Sequence, residues 1–129
     1  MGNFYSYYSS INFIDFDDML KNINKNSIII NTLSNNRQNC LIENTIDYLE
    51  EDNIINYYLK NDKNMLIIVY GKNCNDKNVF KKYLQLSELG FKNIYIYNGG
   101  LFEWLLLQEI YGNSKFKTTS NELDILKYK

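Results

Sequence analysis

The stretch NMLIIVY, residues 64–70, decides the fold of this 129-residue chain. It is almost continuously apolar, it is rich in isoleucine and valine, and Gly71 follows it directly. A short run of this kind predicts a strand that is buried on both faces. Strands of that kind are typical of a parallel sheet covered by helices on its two sides. The sequence around residues 64–70 should therefore alternate between helices and strands.

The residues after this strand fit such an alternation. Residues 76–89 place apolar side chains at helical spacing, and Gly90 is suited to end that helix in a left-handed conformation. The segment NIYIY, residues 93–97, predicts a further strand. The pair GG at residues 99–100 predicts a turn that needs positive φ, and a helix is expected over residues 101–111.

The residues before the strand continue the pattern upstream. The segment SIIINTL, residues 27–33, predicts a buried strand. An amphipathic helix is expected over residues 47–60. A further helix is expected over residues 16–23, with Asp15 as its N-cap. The alternation indicates an α/β domain with a mostly parallel sheet. Because ligands bind at the carboxyl ends of parallel strands, the loop over residues 71–76 is the candidate site.

Composition and charge exclude several classes of function. The chain has 14 basic and 15 acidic residues and a net charge of -1, which argues against a nucleic-acid binder of the usual basic kind. It has no histidine, which excludes serine and cysteine triads with a histidine base and every zinc site with a histidine ligand. Two cysteines cannot supply a four-ligand zinc site. We therefore expect no metal, no cofactor and no nucleic-acid partner.

Residue usage also bears on the source and location of the protein. The chain contains no proline and no alanine, whereas residues with AT-rich codons are abundant, which indicates an AT-rich genome such as that of a protist or a large virus. No apolar run reaches the length of a membrane span, and no secretory signal follows Met1. We expect a cytoplasmic protein, in the host cytoplasm if it is viral, with reduced thiols at Cys40 and Cys74.

The first residues carry a modification signal. MGNFYS, residues 1–6, fits the pattern for N-myristoylation, in which Gly2 would carry the acyl chain. A single myristoyl chain gives only reversible membrane association. We divide the chain into an N-terminal segment with this acylation signal, residues 1–10, and a domain over residues 11–129 that includes the C-terminal tail.

Several of these segments together resemble a rhodanese-like domain. The matching text is IIVY at residues 67–70, LGFKNIY at residues 89–95 and GGLFEW at residues 99–104. The resemblance covers about residues 11–112. GLFEWLLLQEIYG, residues 100–112, and the ending ELDILKYK, residues 122–129, look like a subgroup of single-domain homologues in protists and large viruses. The resemblance implies a three-layer α/β fold with about five mostly parallel strands and helices on both faces. It also implies a sulfurtransferase site in the loop after residue 70.

The loop departs from the pattern of active members of that family. They have a cysteine directly after the strand, where this chain has Gly71, and their Arg-Ser pair falls near Asp76 and Lys77. An acidic residue at the helix start would compete for the amides that cradle an anion. The predicted site residues are Gly71, Lys72, Asn73, Cys74, Asn75, Asp76 and Lys77. Their departures indicate a catalytically inactive module that acts in protein interaction, regulation or anion sensing.

Cys74 supports a second hypothesis, because it lies in the same loop. Counting back from Gly90 with the usual helix length places the family's cysteine near Asn73, whereas the strand register places it at Gly71. An altered loop would let Cys74 act as the nucleophile of a thiosulfate or persulfide sulfurtransferase. A phosphatase of the related type is a weaker alternative, because the loop has no arginine to clamp phosphate. Cys40 is expected to be a partly buried free thiol.

The helix over residues 101–111 is apolar nearly all round, which is unusual for a surface helix. The C-terminal tail, residues 115–129, has apolar residues that would cover its outer face. A homodimer or a protein partner would be the alternative cover.

Overall fold

The computed structural model describes residues 11–129, so Gly2 and the rest of the N-terminal segment lie outside the described residues. The described part contains four strands and four α-helices in alternating order. The strands are β1 (Phe13–Ile14), β2 (Ser27–Asn31), β3 (Leu66–Tyr70) and β4 (Ile94–Tyr97). The helices are α1 (Phe16–Asn22), α2 (Glu51–Asn61), α3 (Lys77–Leu89) and α4 (Gly100–Tyr111). Short 3-10 turns occupy Asn35–Arg37, Tyr48–Glu50 and Ile125–Tyr128.

The strands form one parallel sheet in the order β1-β4-β3-β2. β3 lies in the interior, with Ile68 paired to Ile29 of β2 and to Tyr95 of β4. The predicted parallel α/β sheet is confirmed, although the described residues contain four strands where about five were expected. Thr45 makes only an isolated parallel bridge to Ile29, which is too short a pairing to extend the sheet by a strand. β1 was not predicted, because two residues carry no periodicity.

Helices cover both faces of the sheet. On one face, Met19 of α1 and Trp104 of α4 pack in one apolar cluster with Ile68. On the other face, Ile55 of α2 and Val79 of α3 belong to a second cluster. The molecule is therefore the three-layer sandwich that the resemblance implied. No helix within residues 11–129 is long and apolar enough to cross a bilayer.

The predicted helix ends are confirmed by their caps. The Asp15 side chain accepts a hydrogen bond from the amide of Asp18, and the Asp18 side chain accepts one from the amide of Asp15, which together form a capping box. Gly90 ends α3 in the left-handed conformation, with a φ of 108°. The helix predicted over residues 47–60 is instead a 3-10 turn followed by α2.

The C-terminal tail covers part of α4, as one of the two alternatives predicted. The rings of Phe116 and Trp104 meet edge to face at 5.1 Å, and the Trp104 Nε1–H donates to the carbonyl of Lys117 at 3.0 Å. Tyr128 is also buried, but Leu123 remains 93% exposed. Ile110 on the far side of α4 is 70% exposed, so the tail leaves an apolar strip of that helix uncovered.

Candidate functional site

The loop over residues 71–76 joins the carboxyl end of β3 to the start of α3. This places it at the edge of the sheet where parallel α/β domains bind their ligands. Gly71 follows the last residue of β3 directly and is buried. The strand register therefore puts Gly71, and not Cys74, where the resemblance places the family's nucleophile.

The Asp76 carboxylate occupies the inside of this loop. Its Oδ1 accepts a hydrogen bond from the amide of Asn78 at 3.0 Å, which caps α3. Its Oδ2 accepts one from the amide of Lys72 at 3.0 Å and one from the hydroxyl of Thr32 at 3.4 Å. The first turn of α3 and the first loop amide are the donors that would otherwise bind an external anion. A resident carboxylate therefore takes the place of a bound anion.

Gly71 has no room for a side chain. A Cβ atom built on it would lie 2.3 Å from Asp76 Oδ2, 2.5 Å from Val79 Cγ2 and 2.8 Å from Thr32 Oγ1. Its φ lies outside the left-handed region, so the restriction is steric rather than conformational. The loop could not accept a cysteine at this position without moving the Asp76 carboxylate.

The N-terminus of α4 closes the loop from the other side. The amides of Leu101 and Phe102 donate to the carbonyls of Gly71 and Lys72, each at 2.9 Å. This approach needs Gly100, whose φ is +68° and whose Cβ would lie 2.8 Å from the Gly71 carbonyl oxygen. Gly99 has a φ of -63°, so the positive φ predicted for this turn is supplied by Gly100. The turn needs only one left-handed residue.

Cys74 is exposed and faces a groove of about 710 Å³ that we call the acidic groove. Its walls include apolar side chains from β1 and α4, Phe13, Phe102 and Leu106 among them. Three carboxylates also line it, those of Asp15, Asp18 and Glu103. An anionic sulfur donor that approached Cys74 would meet these negative charges, which oppose its binding.

Glu103 is held in this groove by a buried tyrosine. The Tyr97 hydroxyl donates a hydrogen bond to Glu103 Oε1 at 2.7 Å. Burial raises the pKa of Tyr97, and the adjacent Glu103 carboxylate raises it further. Tyr97 therefore stays protonated and keeps donating to the carboxylate throughout the physiological range.

Cys40 lies in the interior and is a free thiol. Its Sγ contacts the carbonyl oxygen of Ser120 at 3.3 Å, and burial raises the pKa of the thiol. A buried thiol with a raised pKa is a poor nucleophile. Cys40 is more deeply buried than expected, and these surroundings do not favour a role as the resolving partner of Cys74.

A second pocket, of about 640 Å³, lies beside the same loop and is lined by basic side chains. Lys72 and Lys77 come from the loop and the start of α3, Arg37 from the segment after β2, and Lys129 from the C-terminal tail. We call it the basic pocket. Within residues 11–129, none of these four cations forms an ion pair. Asp76 is the one carboxylate side chain among the lining residues, and its oxygens already accept hydrogen bonds from the loop.

Arg37 is held in place by contacts that leave its charge unpaired. Its Nη1 donates to the carbonyl of Lys127 at 2.6 Å, and its guanidinium lies 5.6 Å from the ring centre of Tyr128. The segment that carries it is fixed by Asn31, whose side chain exchanges hydrogen bonds with Gln38 at 2.8 and 3.0 Å. The arginine is therefore positioned before any ligand binds.

The structure divides the predicted loop residues between two pockets, whereas the sequence analysis treated them as one site. The seven predicted loop residues, residues 71–77, do surround one site, but Cys74 faces the acidic groove while Lys72 and Lys77 face the basic pocket. Sequence reasoning missed Arg37 and Thr32, because more than 30 residues of chain separate each of them from the loop that they lie beside. The only signal for Arg37 was that it is the single arginine. Among the described residues, no group of three or more Cys, Asp or Glu side chains could hold a metal ion.

Two solved structures resemble this domain over most of its length. The structure of the Alr3790 protein from Anabaena sp. superimposes with a TM-score of 0.60 and 18% identity, covering 88% of this chain and 86% of that one. The BH2092 protein from Bacillus halodurans superimposes with a TM-score of 0.60 and 17% identity, covering 97% and 96%.

A solution structure described as the rhodanese-like domain of Alr3790 gives a TM-score of 0.58 at 20% identity, covering 78% of this chain and 75% of that one. At these identities the likeness shows the fold alone. A search of curated protein sequences finds no match. The sequence model of the family described as the rhodanese-like domain matches residues 14–107, which is most of the chain. The chain therefore belongs to the rhodanese-like domain family.

Proposed function

We propose that this domain is a catalytically inactive rhodanese-like module that acts in protein interaction or regulation. The observation that carries the proposal is the position of the Asp76 carboxylate. Its oxygens accept hydrogen bonds from the amides of Lys72 and Asn78, which are donors suited to an anionic substrate. A substrate anion would have to displace a covalently attached carboxylate that is always present at high effective concentration.

The steric position of Gly71 supports the same conclusion. Active members of the family have a cysteine directly after this strand, and the resemblance places Gly71 there. The space that a cysteine side chain needs is filled by Asp76 and Val79. Loss of the nucleophile and filling of the anion cradle are thus two parts of one packing arrangement.

The alternative is a sulfurtransferase that uses Cys74. One observation favours it: Cys74 is the exposed cysteine on the loop. The acidic groove argues against it, because three carboxylates line the depression that a thiosulfate anion would enter. A phosphatase reaction has the same need for positive charge beside the thiol, and Arg37 lines a different pocket.

Sulfur loading separates these two functions. The full chain is incubated with thiosulfate, and in parallel with a persulfide donor, and its intact mass is measured before and after reduction. The Cys74→Ser variant is the matched control. We expect the wild-type chain to gain no sulfur from thiosulfate. A reducible gain of one sulfur atom in the wild-type chain that is absent from Cys74→Ser would establish Cys74 as a sulfur carrier and overturn the proposal.

The module would be tethered reversibly to membranes if Gly2 is acylated. The support is the sequence pattern of residues 1–6, which fits N-myristoylation. Expression in a eukaryotic host should give a mature mass that includes one myristoyl chain, and Gly2→Ala should remove it. A mature protein with a free amino terminus in that host would contradict the tether and leave the proposal on the loop unaffected.

A further inference from the structure

We propose that the basic pocket binds a phosphate-type dianion, carried by a partner protein's phosphorylated side chain or present as free phosphate. This inference rests on the proposed function and deepens it, because it assigns a ligand to a site that has no nucleophile. The ligand would contact side chains at the mouth of the loop. The amides inside the loop are already hydrogen-bonded to Asp76.

The charge of the pocket supports this ligand class. Arg37, Lys72, Lys77 and Lys129 line one depression in a chain whose net charge is -1. Like charges that line one pocket without ion pairs repel one another, and an anion bound among them relieves that repulsion. A dianion gains more from such a cluster than a carboxylate does, because each of its charges interacts with every cation.

The hydrogen-bond donors of the pocket suit phosphate oxygens. Arg37 is fixed by the Lys127 carbonyl and the Tyr128 ring, so its remaining N–H groups are available without a large loss of side-chain entropy. The side-chain amides of Asn75 and Asn78 line the same pocket, and they form no hydrogen bond with another described residue. These neutral donors would complete the shell around the oxygens.

The size and shape of the pocket allow a phosphate with a substituent. Its volume is about 640 Å³, well above the need of a bare ion, and it is open to solvent. A phosphorylated serine or threonine could enter while its peptide stays at the surface. The same geometry admits inorganic phosphate, so the two sources share one chemistry and must be separated by experiment.

Binding is measured on the full chain by ¹H–¹⁵N NMR titration at constant ionic strength, because added salt alone screens the cations. The probes are inorganic phosphate, a short neutral peptide with one phosphoserine, and the same peptide unphosphorylated. We expect saturable shifts at the backbone amides of Lys72 and Asn78 with both phosphate-containing probes, and none with the unphosphorylated peptide. Tighter binding of the phosphopeptide than of phosphate would identify a phosphorylated partner. Equal or weaker binding would identify the free ion.

Variants test whether the named cations hold the ligand. Arg37→Gln should weaken binding by about tenfold or more. Lys77→Gln should weaken it several-fold, and because Lys77 is exposed this variant should stay folded if Arg37→Gln does not. Lys60→Gln is the matched control, since Lys60 is exposed near the end of α2 and does not line the pocket.

Two results would overturn the inference: no saturable binding up to about 10 mM phosphate or phosphopeptide, or equal affinity in Lys77→Gln and Lys60→Gln. Neither result bears on the sulfur-loading test, which reads the mass of Cys74. A chain that takes up sulfur and also binds phosphate would contradict the proposed function alone. A chain that does neither would contradict this inference alone.

Discussion

Replacing Gly71 with alanine should destabilise the domain through one identified clash. The new Cβ would lie 2.3 Å from Asp76 Oδ2 and 2.5 Å from Val79 Cγ2. Forcing a methyl group into a packed site costs about 1–3 kcal/mol. If the carboxylate swings out, the amide of Lys72 also loses its acceptor, which adds about 1 kcal/mol. We therefore expect a loss of about 2–4 kcal/mol in the free energy of unfolding.

Equilibrium unfolding in urea, followed by the fluorescence of the single tryptophan, Trp104, measures this loss. The matched background is Asp76→Ser, because serine still caps α3 but its side chain is too short to reach the space beside Gly71. In that background the cost of Gly71→Ala should fall by about 1 kcal/mol or more, which is the coupling energy between the two positions. The remaining cost reflects Val79.

The reasoning would be refuted if Gly71→Ala changed stability by less than about 0.5 kcal/mol, the range of neutral surface substitutions. It would also be refuted by an identical cost in the wild-type and Asp76→Ser backgrounds. Gly71→Cys should show the same clash. It should gain no sulfur from thiosulfate, because the Asp76 carboxylate stays in the loop beside the new thiol and repels the anion.

Three further predictions follow from other parts of the structure. The amide of Asp18 lowers the pKa of Asp15 below its ordinary value of 3.8, so the cap stabilises the fold above that pH and loses its effect as the pH falls through the lowered pKa. Urea midpoints should therefore show that Asp15→Asn destabilises the domain near neutral pH, with the difference shrinking as the pH falls below 3.8. Gly100→Ala should lower the free energy of unfolding by about 3 kcal/mol or more in thermal or urea unfolding, because the new Cβ meets backbone atoms. Gly112→Ala is the control: Gly112 has a φ of +99° but open space around it, so only backbone strain of about 1–3 kcal/mol is expected. If the uncovered strip of α4 binds a second copy, Leu106→Lys should shift a dimer to a monomer in sedimentation while Leu49→Lys does not; a monomeric wild-type chain would exclude the homodimer.

The predicted parts of the fold are those that short stretches of sequence encode locally. The apolar run at residues 64–70 specifies β3. The N-cap Asp15 specifies the start of α1, and Gly90 specifies the end of α3. β1 is different, because its two residues become a strand only by pairing with β4. Sequence alone could not show that pairing, since nothing local distinguishes residues 13–14 from a loop.

The candidate site was predictable as a location but not as an arrangement. The acid at position 76 was expected to compete for the loop amides, and its Oδ2 does accept from Lys72. The approach of Thr32 and of the α4 amides to the same loop depends on how three strands and a helix come together, which no spacing along the chain reveals. The division of the loop between an acidic groove and a basic pocket has the same origin, because most of the charges come from distant segments.

Under the proposed function, giving this loop the family's chemistry would need several changes at once, and the packing explains why. A cysteine at position 71 needs the space that Asp76 and Val79 now fill, so that change alone destabilises the domain. Shortening Asp76 alone empties the cradle but supplies no nucleophile. Each single step therefore loses stability or gains nothing, and only their combination would place a thiol beside free amides. Under the proposed function, the resident carboxylate thus both stabilises the loop and keeps it inactive.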